Sequence, residues 1–160
     1  MNAPYIGQSV KRKEDQRFIT GGGTYTDDVN VVGQTYAYFL RSPHAHAKIR
    51  GINISKAQAA QGVVGIFTGE DLANAKVGGL PCGWLITSVD GQPMKEPPHP
   101  LLAQGKVRHV GDQVAVVIAE SLHQAKDAAE LIEVDYETLP AVVNAANARD
   151  AGAALVHDDV

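Results

Sequence analysis

Residues 114–137 restrict the fold of this chain more than any other stretch. Val114–Ala119 is a continuous apolar run, which predicts a central strand buried on both faces. Residues 121–132 place apolar side chains at helical spacing behind the capping sequence Ser-Leu-His-Gln, so they predict an amphipathic helix. Glu133–Glu137 alternates between acidic and apolar side chains, which predicts a strand with one face in water. A strand, a helix and a second strand therefore follow one another here.

Shorter elements are predicted around this unit. The three strands predicted before it are Thr35–Arg41, Lys48–Ile54 and Val63–Thr68. Gly51 lies in the second of them, and we expect a bulge there because the flanking isoleucines would otherwise lie on opposite faces. Two short helices are predicted, one behind a capping box that begins at Ser55 and one capped by Thr68 or Gly69. A further strand is predicted at Lys106–Val110.

Two stretches lack a regular pattern. Residues 1–33 are polar and rich in glycine, and we interpret them as an extended N-terminal arm. Residues 78–105 hold five of the eight prolines and are interpreted as irregular, with a hairpin turn at Asp90-Gly91. The order of the other elements indicates an α+β fold, or an α/β fold, with a mixed β-sheet and short helices. The domain would span residues 34–150, and residues 151–160 are interpreted as a linker that is cut short.

The composition excludes several classes of function. Eighteen acids against 14 bases give a net charge of −4, whereas a nucleic-acid surface would show a basic stripe. The chain has no apolar run of the roughly 18 residues that a membrane span needs, and its N-terminus lacks the apolar segment of a secretory signal. Cys82 is the only cysteine, which excludes an internal disulfide and a cysteine-based metal cage. These features fit a cytoplasmic protein.

The glycine run Gly21–Gly23 first suggests a phosphate-binding loop. Such a loop needs a strand before it and a helix after it, and neither is predicted here. We therefore interpret the run as a flexible turn in the arm. Asp27 and Asp28 are adjacent and would face opposite ways in a strand, so they are interpreted as a solvated pair rather than as metal ligands.

His44 and His46 are the best local candidates for metal ligands, because residues two apart in a strand share a face. A third ligand would have to come from His99, His109 or His157, and nothing in the sequence brings one of these close. The pair is interpreted as histidines that meet solvent or a partner at a strand edge, with a metal site as the alternative.

Three other groups offer chemistry less directly. Cys82 has no local base that would activate it as a nucleophile, so we expect a buried or interface cysteine. Lys95 follows one methionine after a hairpin turn, a weak match to the lysine of a biotin carrier. Glu133, Asp135 and Glu137 share one exposed strand face, whereas catalytic carboxylates face each other across a cleft. No catalytic, cofactor-binding or metal-ligating residue is therefore predicted in this chain.

Five stretches in this order resemble one protein family: "GQSVKRKEDQRFITGGGTYTDD", "FLRSPHAHAKI", "GVVGIFTGEDL", "HPLLAQGKVRHVGDQVAVVIAE" and "QAKDAAELIEVDYETLPAV". They are similar to the N-terminal part of the large, molybdenum-carrying subunit of the xanthine dehydrogenase, aldehyde oxidase and carbon-monoxide dehydrogenase family. The similarity is greatest to the bacterial carbon-monoxide dehydrogenase-like branch and runs from about Gly7 to His157. Each stretch alone is a weak signal, but the five together are specific.

The resemblance implies an α/β-hammerhead domain, with an N-terminal arm that docks on neighbouring domains of the same subunit. The arm positions that match the family, and that would carry this docking, are Arg12, Glu14, Asp15, Arg17, Phe18, Gly21, Gly23 and Tyr25. Glycines would let the arm bend over a partner surface. The Arg17 guanidinium would fork onto a carboxylate or backbone carbonyls, and Phe18 would anchor in a pocket.

The resemblance also implies the activity of a larger enzyme. Members of the family hydroxylate aldehydes, purines, N-heterocycles or carbon monoxide with oxygen from water, and they pass electrons to iron–sulfur clusters and flavin on partner subunits or domains. The molybdenum would be held by molybdopterin cytosine dinucleotide. Because the pterin-binding loops and the general base would lie beyond Val160, this chain alone is expected to be non-catalytic and to bind no molybdenum. The alternative is a stand-alone module that binds a small ligand or a protein through residues 78–105.

Overall fold

The computed structural model describes residues 6–158, so residues 1–5 of the expected arm and 159–160 of the expected linker lie outside the described part. The chain divides into two units, Met1–Gln34 and Thr35–Val160. The first unit contains a short helix, α1 (Asp15–Ile19), and a 3₁₀ turn (Thr26–Asp28). The sequence predicts an extended arm, and the structure adds local helical order to its middle part.

The second unit is built on two three-stranded sheets, both antiparallel. Its strands are β1 (Tyr36–Arg41), β2 (Ala47–Asn53), β3 (Val63–Thr68), β4 (Lys106–Val107), β5 (Gln113–Ala119) and β6 (Glu133–Thr138). Sheet A has the order β1-β5-β3, and sheet B has the order β4-β2-β6. The α+β class is confirmed. The strands differ from a single mixed sheet because β6 pairs with β2, where Val134 and Ile52 lie opposite each other and pack on the core.

Helix α4 (Leu122–Glu130) packs on the three strands of sheet A. Its buried residues are alanines, and small side chains let the helix approach the sheet closely. The buried residues of this contact are Ala115, Val117, Ala119, Ala125, Ala128 and Ala129. The shorter helices are α2 (Ser55–Gln58), α3 (Gly69–Asn74) and a 3₁₀ helix (Ala145–Arg149). Within residues 6–158, none of the helices has the length and apolar character needed to cross a bilayer.

Strand β5 is the central strand of sheet A, as its apolar run predicts, but its two faces differ. The residues that face α4 are buried, among them Val117, which has no exposed surface. Val116 and Ile118 point to the opposite face and are only half-buried. Burial on both faces is present at Val114 and Ala115 but is wrong for the rest of the strand, because no described core cluster includes Val116 or Ile118.

Several local signals are confirmed. The register of β2 against β6 shifts between Ile49 and Gly51, so the expected bulge is present. Thr68 forms a capping box with Asp71 at the start of α3, and the Ser121 hydroxyl caps α4. These features confirm that turn and capping chemistry acts over short sequence distances.

Two local predictions are wrong. Ser55 does not cap α2; instead its backbone N–H donates to the Asn53 side chain at 3.1 Å. Strand β4 is limited to Lys106–Val107, three residues shorter than predicted. It ends there because the Asp112 carboxylate accepts a hydrogen bond from the backbone N–H of Arg108 at 2.9 Å and holds a turn.

Candidate functional site

The glycine run of the arm closes a small aromatic turn. The rings of Phe18 and Tyr25 stack with their centroids 5.2 Å apart and their planes at 28°. A Cβ on Gly23 would stand under 3.0 Å from two carbons of the Phe18 ring, so a larger residue here would displace the ring. The Arg17 guanidinium lies 5.1 Å from the centroid of the same ring. We call Phe18, Gly23 and Tyr25 the aromatic turn; the flexibility that the sequence predicts for the glycine run stays a prediction.

The charged residues of the arm make local contacts. The Arg12 guanidinium forms an ion pair with Asp15 at 3.0 Å, and both side chains are well exposed. Glu14 is the N-cap residue of α1. Asp28 accepts a hydrogen bond from the backbone N–H of Tyr25 at 2.8 Å, so it stabilises the 3₁₀ turn. An exposed ion pair of this kind stabilises a fold little, and the docking role of the arm residues stays a prediction.

His44 and His46 do not converge on a metal. His46 is buried, and its Nδ1 donates to the carbonyl of Pro140 at 2.8 Å. The His44 ring instead contacts Tyr136 edge-on, with the centroids 4.9 Å apart. Burial raises the pKa of the Tyr136 phenol, and a hydrogen bond from Ser42 opposes this shift. The two histidines therefore belong to the packing beside sheet B.

The three histidines considered as a third ligand lie around a separate cavity of about 270 Å³. Its lining includes His99, His109 and His157, together with Arg108 and Asp112, but neither histidine of the His-x-His pair. Within residues 6–158, no group of three or more His, Cys, Asp or Glu side chains is placed to hold a metal ion. The third ligand that the metal alternative requires is therefore not supplied by any of these histidines.

Residues 80–99 form a projecting loop. The backbone N–H of Leu80 donates to the carbonyl of His99 at 2.8 Å and joins its two ends. Trp84 in this loop is 80% exposed, and Leu85, Ile86 and Val89 are exposed as well. Exposed aromatic and aliphatic side chains of this kind are typical of a protein contact.

The projecting loop contains Cys82 and Lys95, two residues considered in the sequence for nucleophilic and carrier chemistry. Cys82 is exposed rather than buried, and its Sγ lies 3.4 Å from the carbonyl of Trp84. The predicted hairpin turn at Asp90-Gly91 is present, because Ser88 N–H donates to the carbonyl of Gln92 at 2.8 Å. Lys95 lies beyond this turn and not at its tip, so the comparison with a biotin carrier is not supported.

The acidic row on β6 is a solvated face, as predicted. Glu133 pairs with Lys56 at 2.6 Å, and Glu137 pairs with Arg50 and Lys48. The hydrogen bond and charge of Lys56 lower the pKa of the Glu133 carboxyl. Carboxylates that are paired along one strand do not face each other across a cleft and do not form a catalytic pair.

A cleft of about 560 Å³ lies between the β2 bulge, the start of α3 and residues 103–105. A Cβ on Gly69 would clash with the carbonyl of Ala103, so this glycine permits the close approach of the two segments. Asp71 in this cleft accepts hydrogen bonds from the hydroxyl and N–H of Thr68, and these bonds lower the pKa of its carboxyl. The cleft therefore contains a helix cap rather than a poised acid or base.

The outer face of sheet A, turned away from α4, is apolar. The register places Phe39 and Phe67 on either side of Val116, and the two rings are 38% and 46% exposed. The members of this apolar sheet face are Ala37, Phe39, Gly65, Phe67, Val116 and Ile118. The sequence analysis missed it, although apolar residues at both odd and even positions of β1 and β3 are a signal that two faces are apolar.

Comparison with known proteins agrees with this architecture. A family model described as "Aldehyde oxidase and xanthine dehydrogenase, a/b hammerhead domain" matches residues 20–140. The carbon monoxide dehydrogenase large chain of Afipia carboxidovorans is 39% identical over 155 residues, which cover 97% of this chain and 18% of that protein. The nicotine 6-hydroxylase large subunit of Paenarthrobacter nicotinovorans is 39% identical over 139 residues, covering 87% of this chain and 16% of that protein.

A solved structure shows the same fold. Quinoline 2-oxidoreductase from Pseudomonas putida 86 superposes with a TM-score of 0.77 at 42% identity, over 99% of this chain and 19% of that one. The chain thus spans less than a fifth of the relatives it matches. The expected hammerhead fold and the expected family are both confirmed. This chain belongs to the aldehyde oxidase and xanthine dehydrogenase family, as an α/β-hammerhead domain.

Proposed function

We propose that this chain is the structural N-terminal domain of the large subunit of a molybdenum-dependent hydroxylase or dehydrogenase, and that it carries out no catalytic step itself. The observation that carries the proposal is a match over 97% of this chain to only 18% of a carbon monoxide dehydrogenase large chain. The complete enzyme would be an oxidoreductase that takes oxygen from water. Relatives named for carbon monoxide, nicotine and quinoline support an enzyme of this kind and leave its substrate open.

We propose that this domain does not hold the molybdenum–pterin group. Within residues 6–158, no three His, Cys, Asp or Glu side chains are placed to hold a metal ion. In the cleft of about 560 Å³, Arg50 is paired with Glu137 and Asp71 is bound to Thr68, so these polar groups are engaged within the domain. We therefore assign molybdopterin cytosine dinucleotide to the rest of the subunit and derive no reaction step through this chain.

The proposed partners are the remaining domains of the same subunit and, in the assembled enzyme, the subunits that carry iron–sulfur clusters and flavin. The arm supports this role because its aromatic turn presents an exposed Tyr25 stacked on Phe18, a ring that the Arg17 guanidinium also contacts. Tyrosine, tryptophan and arginine are the residues that most often dominate protein contacts. We assign the assembly to the cytoplasm, where a chain with a single cysteine folds without oxidation.

The experiment that tests the proposal compares this chain, the remainder of its large subunit, and a mixture of the two. Molybdenum content, pterin content and hydroxylase activity are measured on each sample. We expect the chain alone to be empty and inert, and the mixture to be more active than the remainder alone. A chain that holds stoichiometric molybdenum or turns over substrate by itself would contradict the proposal. A chain that is inert and restores nothing would favour the stand-alone binding module.

A further inference from the structure

We propose that the apolar sheet face is the surface through which this domain docks on the rest of the large subunit. The inference rests on the proposed function and goes beyond it, because it names the contact that joins the domain to its subunit. At the centre of this face, Val116 lies between Phe39 and Phe67 on neighbouring strands. The three side chains form one row across the sheet, so they present a continuous apolar surface on a rigid backbone.

The exposed faces of the two sheets differ in polarity. The exposed face of sheet B carries ion pairs, with Glu133 on Lys56 and Glu137 on Arg50. The exposed face of sheet A is apolar over β5 and β3 and has one charged residue, Arg41, at the end of β1. It leaves two phenylalanines more than one third exposed. A contiguous apolar patch of this kind is rare on a monomer and marks a surface that another protein covers. The same chain therefore contains one face suited to water and one face suited to a partner.

The edge of sheet A extends this surface. Strand β1 is an edge strand, so one side of its backbone has no strand neighbour within the described sheet. A shallow cavity of about 370 Å³ lies along residues 37–41 of this strand. A segment of another domain that packs on the apolar sheet face would reach this edge and its free hydrogen-bonding groups.

The length of the relatives indicates which protein surface covers the apolar sheet face. The matched segment is 16–19% of each relative described above, so most of each large subunit lies outside it. Permanent contacts within a subunit are more apolar than transient contacts, and a face centred on Phe39, Val116 and Phe67 meets that requirement. We therefore commit to an apolar surface of the same large subunit as the occupant, rather than to a second copy of this chain.

The test measures how tightly variants of this chain bind the remainder of the large subunit, by titrating restored activity and by direct binding. The double variant Phe39→Ser/Phe67→Ser removes both rings. We expect it to bind roughly tenfold more weakly or worse, because aromatic anchors dominate contacts of this kind. The matched control is Leu131→Ser, which changes a side chain of similar exposure, 42%, at the end of α4. We expect this control to bind like the wild type.

A second variant guards against loss of the fold. Val116→Thr keeps the shape of the side chain and adds a hydroxyl that the docked partner would desolvate. We expect its melting temperature as an isolated chain to stay close to that of the wild type while its binding weakens. Unchanged melting with weaker binding is a result that a purely structural role of Val116 would not produce.

The outcomes separate this inference from the proposed function. A wild-type chain that does not bind the remainder overturns both proposals. A wild-type chain that binds, together with Phe39 and Phe67 variants that bind equally well, overturns this inference alone. If the isolated wild-type chain is a dimer that these substitutions dissociate, and binding to the remainder is unchanged, the face is a self-association surface and the inference is wrong.

Discussion

Gly23 lies against the ring of Phe18 so closely that a Cβ at position 23 would stand under 3.0 Å from two ring carbons. Tyr25 stacks on the same ring, so the chain reverses direction around one aromatic side chain. Glycine fits here because the ring occupies the space that a Cβ would take. Gly21, two residues earlier in the same run, instead has a φ of +75°, a backbone conformation that favours glycine for its own sake. Two glycines of one run therefore serve different physical purposes.

The substitution Gly23→Ala should disrupt the aromatic turn. The new methyl group would displace the Phe18 ring and separate it from Tyr25. We expect the ring-proton shifts of both aromatics to move toward random-coil values in NMR spectra. The control is Gly22→Ala, because a Cβ there would meet Arg17 at an ordinary 3.4 Å. Equal spectra for the two variants would contradict this packing.

The substitution Val117→Asp should unfold the second unit. Val117 has no exposed surface and faces α4, so the carboxylate would lose its hydration without gaining a partner. A cost of several kcal/mol, roughly 3–5, is a large share of the roughly 5–15 kcal/mol that stabilises a typical domain. Thermal unfolding followed by circular dichroism measures it.

A second substitution sets the scale for that result. Val143→Asp introduces the same charge at a position that is 89% exposed. We expect it to change the free energy of unfolding by less than about 0.5 kcal/mol, as surface substitutions usually do. If both variants melted at the same temperature, the assignment of Val117 to the core would be wrong.

The substitution Ser121→Ala should destabilise the domain, whereas Ser55→Ala should not. The Ser121 hydroxyl accepts a hydrogen bond from the backbone N–H of Gln124 and caps α4. Loss of such a cap costs about 1 kcal/mol. Both serines precede sequences that look like capping boxes, but the Ser55 side chain makes no capping hydrogen bond. The urea unfolding midpoints of the two variants measure this difference. Equal midpoints would contradict the assignment of a capping role to Ser121 alone.

The ion pair between Lys56 and Glu133 should stabilise the domain at neutral pH and lose its effect in acid. The pairing lowers the pKa of the Glu133 carboxyl and raises the pKa of the Lys56 ammonium. The contribution is therefore complete between roughly pH 4.3 and 10.4, the ordinary pKa values of the two groups. It falls as the pH drops through the lowered pKa of Glu133, or rises through the raised pKa of Lys56.

The measurement compares urea midpoints of the wild type and Glu133→Gln. We expect a small difference at pH 7, because both partners are exposed and water screens them, and a still smaller one at 1 M salt. The difference should shrink toward zero as the pH falls through the lowered pKa of the Glu133 carboxyl. A difference that persists in acid would show that hydrogen bonding of the neutral side chain, and not charge, is responsible.

The sequence predicted the elements whose cause is local. Alternation placed Glu133–Glu137 in a strand with a wet face, and the isoleucines around Gly51 predicted a bulge that the register confirms. Thr68 and Ser121 cap the helices that follow them, as predicted. Each of these features depends on side chains within a few residues of one another, so the pattern in the sequence carries the information.

The failures have a different origin. The burial of β5 on both faces was inferred from its own apolar run, but burial depends on what other segments cover. His44 and His46 share a motif, and the structure separates them, with His46 on the carbonyl of Pro140 and His44 on the ring of Tyr136. Partners that are nearly a hundred residues apart in sequence leave no local signal.

The sequence by itself determined the class of the domain, its family and the approximate positions of most elements. It did so because periodicity, capping signals and family motifs each depend on residues that are close together in the chain. Only the tertiary structure decided that the strands divide into two antiparallel sheets, and that one of these sheets keeps an apolar face uncovered. Strand pairing is chosen by the burial of side chains from distant segments, such as Val134 against Ile52. That choice depends on the whole folded core, and no short stretch of the chain contains it.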